Sequence, residues 1–135
     1  MGVRAIVFDF GNVVGFFQRR RAAANLVAYG PPGLTQEEIL PLLAHPEYEP
    51  LYEKSVLSSA QILELLRTRL SLNGTDEELA FAFGNMFEPN PAVCSLVPQL
   101  QGRYHLALLS NTNEMHYRVF RTQFAETLDQ FDHLV

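Results

Sequence analysis

The chain has 135 residues, enough for one domain with a buried core, and its 47% hydrophobic and 19% charged content excludes a disordered chain. A formal net charge of −5 argues against nucleic acid as a partner, because such binders neutralise phosphates with a basic surface. The single Cys94 cannot form an internal disulfide, and no signal peptide or long apolar segment is legible, so the expectation is a soluble cytoplasmic protein without a membrane partner.

The run Val3-Arg4-Ala5-Ile6-Val7-Phe8 is apolar and β-branched, and it predicts a strand buried on both faces, as in a parallel sheet. It delivers Asp9, and in open α/β sheets the carboxyl ends of strands face the ligand crevice. Gly11 follows, where backbone that approaches a ligand closely or takes a positive φ cannot carry a Cβ. A helix is expected from about Phe17 to Tyr29, with Arg19-Arg20-Arg21 on a solvated face, stopped by Gly30-Pro31-Pro32-Gly33. Thr35 with Glu38, Ser58 with Gln61 and Thr75 with Glu78 each have the spacing of a capping box. They open helices through Leu43, through Leu70 with Asn73-Gly74 as its end, and through about Phe87. The region from Phe17 to Glu88 therefore reads as short helices without a strand, each too short to hold alone, forming a small bundle.

Asn90-Pro91 begins a helix through Leu100, ended by Gly102. Tyr104 to Leu109 is a second buried strand, followed by Ser110-Asn111-Thr112-Asn113, a helix from about Glu114 to Phe124, and a last strand from Phe131. Strands alternating with helices predict an α/β, Rossmann-like parallel core with a helical module inserted after the first strand. The core would be residues 1–16 and 89–135 and the insert residues 17–88. Asp9 and Ser110 then fall at the same lip of the sheet. A carboxylate there can attack a phosphoryl group, while a hydroxyl, nearby amides and the N-terminus of the following helix are suited to phosphate oxygens. Asp9 with a backbone carbonyl also offers hard oxygen ligands for Mg²⁺.

Phe8-Asp9-Phe10-Gly11-Asn12-Val13-Val14 together with Leu108-Leu109-Ser110-Asn111-Thr112-Asn113 resembles motifs I and II of the haloacid dehalogenase-like (HAD) hydrolases. More narrowly, the pair is similar to the bacterial branch with an α-glucose 1-phosphate phosphatase, and more loosely to the phosphatase domain of soluble epoxide hydrolase. The helical insert sits where that family carries a small α-helical cap. The resemblance implies that Asp9 is a nucleophile forming an aspartyl phosphate, and that Phe10, Gly11, Ser110 and Asn111 bind the substrate phosphate. It also implies that Mg²⁺ is held by Asp9 and the Gly11 carbonyl, and that the substrate is a small phosphorylated metabolite such as a sugar phosphate.

Two departures qualify this. Most phosphatases of the family have a second Asp where Gly11 stands, so the general acid is missing, and its assistance is typically worth 10²–10⁴-fold. The third-motif Lys and fourth-motif acids are also not found: the one lysine, Lys54, lies in the insert, and Glu114, Glu126, Asp129 and Asp132 follow no further apolar strand. The core is thus expected to be incomplete at its C-terminal side, weakly active or inactive alone, and prone to self-association through a bare sheet edge. Two other readings stay open, a non-catalytic phosphate-binding module and a metal-independent carbon–halogen hydrolase. His45, His105, His116 and His133 lack metal-ligand spacing, Cys94 reads as a small buried hydrophobe, and Phe10, Phe16 and Phe17 read as packing between core and insert.

Overall fold

A computed structural model of the chain describes residues 2–54 and 56–135. Three short parallel strands form its sheet: β1 (Ala5–Asp9), β4 (His105–Leu109) and β5 (His133–Leu134), in the order β1-β4-β5. A two-stranded antiparallel ribbon joins β2 (Gly15–Phe17) to β3 (Phe87–Pro89). The helices are α1 (Arg19–Val27), α2 (Gln36–Leu43), α3 (Glu49–Glu53), α4 (Ser59–Leu70), α5 (Asp76–Gly84), α6 (Pro91–Leu100), α7 (Glu114–Gln123) and α8 (Ala125–Leu128).

The chain divides into two compact units. The first holds residues up to Phe17, Phe87–Asn111 and Phe120–Val135. Its core is aromatic: the fully buried Phe10 ring stacks on Phe120 with centroids 3.9 Å apart and meets Phe87 and Phe124 edge-on at 5.0 and 5.1 Å. Such pairs add to the area they bury. Leu106 and Leu108 of β4 are buried, and Phe8 of β1 packs edge-on against Phe131 at 5.6 Å.

β1 departs from the expectation of burial on both faces. Ile6 and Phe8 are half-buried, while Ala5, Val7 and Asp9 are exposed, because β1 is an edge strand with one face open. The stretch 17–88 is also not purely helical: its ends, Phe17 and Phe87-Glu88, are strand residues of the first unit. Three-residue strands that pair across so long a separation leave no periodicity to read. Of the three phenylalanines expected to pack together, Phe10 and Phe17 join one aromatic cluster through Phe87, at 5.0 and 5.5 Å, while Phe16 is exposed.

The second unit holds Gln18–Met86 and Thr112–Val119. The boxes expected at Thr35, Ser58 and Thr75 are all present, the Thr35 N–H donating to Glu38 Oε2 at 2.8 Å. The Gln61 N–H donates to Ser58 Oγ at 3.2 Å and the Ser58 N–H to Gln61 Oε1 at 2.8 Å. The Glu78 N–H donates to Thr75 Oγ1 at 3.2 Å and the Thr75 N–H to Glu78 Oε2 at 2.9 Å. α4 ends sooner than Asn73-Gly74, because Ser71 takes the left-handed conformation at φ 54. α5 ends at Gly84 rather than Phe87. A Cβ on Gly84 would lie 2.4 Å from the Met115 carbonyl oxygen, so glycine is required where this helix meets α7.

Candidate active site

Asp9 closes β1 and is exposed; its Cα pairs with that of Leu109 at the end of β4, and Ser110 is the next residue. With strands about 4.8 Å apart and a rise of about 3.3 Å per residue, the Asp9 and Ser110 Cα atoms are separated by roughly 6 Å. Both strands run the same way, so the two residues share the carboxyl rim of the sheet, within one unit. Ser110 is half-buried and Asn111 exposed. The Ser110 N–H donates to the Val135 carbonyl at 3.0 Å, so the contribution Ser110 can make at this rim is its hydroxyl.

The loop after Asp9 is tightly built. The Phe10 carbonyl accepts from the amides of Val13, Val14 and Gly15 at 3.2, 3.0 and 3.1 Å. Asn12, not Gly11, takes the positive φ, at 59°, and its Oδ1 accepts from the Phe17 N–H at 2.9 Å. Asn tolerates this region because its short polar side chain bonds locally. Of the two reasons expected for Gly11, the positive φ is not observed, and a Cβ there would meet no protein atom within 4 Å. The glycine that sterics demand is Gly15, whose Cβ would lie 3.0 Å from Phe10 Cζ and 3.1 Å from Phe124 Cζ.

Asn90 stands at the N-cap position of α6, yet its side chain makes no cap bond. Its Nδ2 donates to the Val13 carbonyl at 2.8 Å and its backbone N–H to the Val14 carbonyl at 2.9 Å, which anchors the loop from across the sequence. Cys94, half-buried, adds a thiol contact to Val14 O at 3.5 Å.

One Asp9 oxygen, Oδ1, accepts the Phe10 N–H at 2.7 Å. Oδ2 has no hydrogen bond among the described residues. Because the Phe10 ring is wholly buried, any part it plays at this rim belongs to its backbone. The donor set for a divalent cation is one carboxylate plus backbone carbonyls, hard oxygens of the kind Mg²⁺ takes while keeping several waters. No group of three or more His, Cys, Asp or Glu among the described residues adds to it. Lys54 lies in the second unit.

The start of α7 is occupied within the second unit. The His116 N–H donates to Asn113 Oδ1 at 2.9 Å and the Met115 N–H to Tyr52 Oη at 3.4 Å, so two of the amides expected to face an anion are already satisfied. Asn113 Nδ2 meets His116 Nδ1 at 2.9 Å, and the imidazole stacks on Phe83 at 5.3 Å. Burial, and secondarily the nearby Arg19 charge, lower the His116 pKa to about 4. Asn113, three residues before His116, has a capping spacing that the sequence itself displays. Arg19, expected on a solvated face, is half-buried and pairs with Glu49, while Arg20 lies exposed 3.7 Å from Glu37.

No protein-family model and no curated protein matches the sequence. Solved structures do. A HAD-family enzyme from Bacteroides thetaiotaomicron, in complex with magnesium and inorganic phosphate, superposes with a TM-score of 0.72 at 19% identity over 98% of this chain and 68% of its own. A predicted HAD-like hydrolase from Porphyromonas gingivalis gives 0.69 at 22% identity, over 98% of this chain and 65% of its own. L-2-haloacid dehalogenase from Xanthobacter autotrophicus gives 0.61 at 20% identity, over 99% and 56%. This chain thus spans about two thirds of the length of the first two structures. Its parallel sheet, helical insertion and agreement with these structures give it the haloacid dehalogenase-like fold.

Proposed function

We propose that the chain carries the nucleophile-bearing part of a phosphatase-type hydrolase acting on small phosphate esters. What supports this is one observation above the rest: Asp9 ends β1 and Ser110 directly follows its register partner Leu109 at the end of β4, at one rim, in a fold shared with a protein crystallised with magnesium and phosphate. Asp9 Oδ2 attacks phosphorus, the bond from phosphorus to the leaving oxygen breaks, and an aspartyl phosphate forms; water then releases phosphate and restores the carboxylate. The Phe10 N–H holds Oδ1 and so aims Oδ2. The Ser110 hydroxyl, Asn111 and the backbone of Phe10 and Gly11 hold phosphate oxygens. Mg²⁺, bound by Asp9 and the Gly11 carbonyl, would neutralise charge on the transferring group.

Gly11 supplies no proton, so the leaving oxygen departs as an anion or takes its proton from water. Esters with acidic leaving groups, such as aryl or anomeric sugar phosphates, are then favoured over simple alkyl phosphates. The setting is the cytoplasm, in keeping with the lone cysteine; no helix among the described residues is long and apolar enough to cross a membrane.

The test is a phosphate-ester panel with and without Mg²⁺, read as released phosphate and as phosphoryl mass added to the protein, beside Asp9→Asn. Aryl phosphates should react first, with Mg²⁺, and the variant should fall to background. Activity that survives Asp9→Asn sinks the proposal, and phosphate binding without phosphoryl transfer supports a non-catalytic module instead. The side chain absent at Gly11 and the likeness to a haloacid dehalogenase favour one second reading, carbon–halogen hydrolysis. It predicts halide release that chelation of Mg²⁺ leaves unchanged.

A further inference from the structure

Asn90 directly follows β3, whose Pro89 pairs with Gly15, so its backbone N–H continues the ribbon onto the Val14 carbonyl. Its side chain reaches one residue further and donates to the Val13 carbonyl at 2.8 Å. Both acceptors belong to the loop after Asp9, and Asn90, the loop and Asp9 all lie in the first unit. At the start of a helix an asparagine side chain ordinarily accepts an amide of the first turn, and here it makes no such bond. The local rule gives way to a contact 77 residues distant in the chain, and departures of this kind concentrate where function constrains a fold.

That contact is the outer end of a series of hydrogen bonds. Asn90 Nδ2 donates to the Val13 carbonyl, the Val13 N–H to the Phe10 carbonyl at 3.2 Å, and the Phe10 N–H to Asp9 Oδ1 at 2.7 Å. Burial pins the Phe10 ring, which leaves the tilt of its two peptide groups to be set by the loop. The amides of Val13, Val14 and Gly15 that converge on the Phe10 carbonyl come from the loop itself and can turn with it as one body. Asn90 ties that body to β3 and α6, and the Cys94 thiol adds a weaker tie at the Val14 carbonyl. We propose that Asn90 is a positioning residue for Asp9: by fixing the Val13 carbonyl it sets the tilt of the Phe10 peptide, and so the direction in which Asp9 presents Oδ2. This deepens the phosphatase reading and rests on it. Aim counts at the moment of attack more than in binding, because a small displacement forfeits the near-attack geometry, so its loss falls on kcat.

Asn90→Asp separates the two things this residue can do. Aspartate caps a helix as well as asparagine does, but as a carboxylate it offers the Val13 carbonyl no hydrogen. Amide hydrogen exchange on the whole chain should show Phe10 and Val13 exchanging at least about tenfold faster in the variant, with the amides of α6 and β4 unchanged. On an aryl phosphate with Mg²⁺, kcat should fall at least about tenfold while KM stays within about twofold. Asn90→Ala should do the same, and it carries the test if Asn90→Asp does not fold. Val97→Ala, at a buried position elsewhere on α6, should lower stability and leave kcat unchanged. Exchange at Phe10 and Val13 that keeps the wild-type rate, or that quickens equally through α6 and β4, overturns the proposal, and so does a loss confined to KM. A wild-type chain that transfers no phosphoryl group overturns the catalytic reading by itself, and the exchange rates then decide whether Asn90 holds the carboxylate of Asp9 through its loop.

Discussion

His116 shows how a single side chain can set a pH response. Its pKa falls from the ordinary 6.5 to about 4 because burial, assisted by the Arg19 charge, opposes the cationic form. Below about 6.5 the unfolded chain takes a proton that the folded chain refuses until about 4, so the unfolded state binds more protons in that window. The stability tied to neutral His116 is therefore complete above the window and is lost as pH falls through it, by up to about 3 kcal/mol. Denaturant melts at pH values on both sides should show that slope, and His116→Gln should flatten it. Glycines give a second contrast at this scale. Gly11→Ala enters open space at an ordinary φ and should change stability by no more than about 0.5 kcal/mol. Gly15→Ala forces the Phe10 and Phe124 rings aside and should cost about 1–3 kcal/mol in the same melts. In the sequence, Gly11 stands out because it follows Asp9 so closely. The crowding at Gly15 comes from Phe10, five residues before it, and from Phe124, far along the chain, and only the fold brings both rings to that Cβ.

Among the elements, helices were legible where their start signals are local. Ser58 with Gln61 and Thr75 with Glu78 are boxes in which both bonds form within four residues, so spacing alone located α4 and α5. Thr75→Ala should lower stability by about 0.5–2 kcal/mol in thermal or denaturant unfolding, with helix content otherwise retained. Where helices stop was less legible, because tertiary packing decides it: α5 ends at the glycine that the Met115 carbonyl crowds. Gly84→Ala should be costlier than the cap, about 1–3 kcal/mol or more, since the obstacle is backbone that cannot rotate away. α3 went unread because its five residues carry no apolar period. β2 and β3 are visible only once Phe17 and Phe87 are brought together.

For the molecule as a whole, the alternation of strands and helices in the sequence and the pair of strand ends at Asp9 and Ser110 sufficed to anticipate the α/β class and a shared rim. The bare edge of the sheet was anticipated, but not the open face: the apolar run at β1 reads as doubly buried because Val and Ile promise a sheet interior, yet Ala5, Val7 and Asp9 meet solvent. The anchoring of the Asp9 loop by Asn90 was likewise hidden, since a cap and a clamp use the same amide and only the fold distinguishes them.

The ribbon of β2 and β3 carries a last consequence. Phe17 and Phe87 are directly opposed in its register, so the chain leaves the sheet-bearing unit and returns to it at one doorway. Everything from Gln18 to Met86 is then a cassette hung on two adjacent pegs: a tight turn grafted between them would close the ribbon, and a different cassette could be spliced in without rerouting a strand. The companion stretch Thr112–Val119, which groups with the cassette, would have to be refitted along with it.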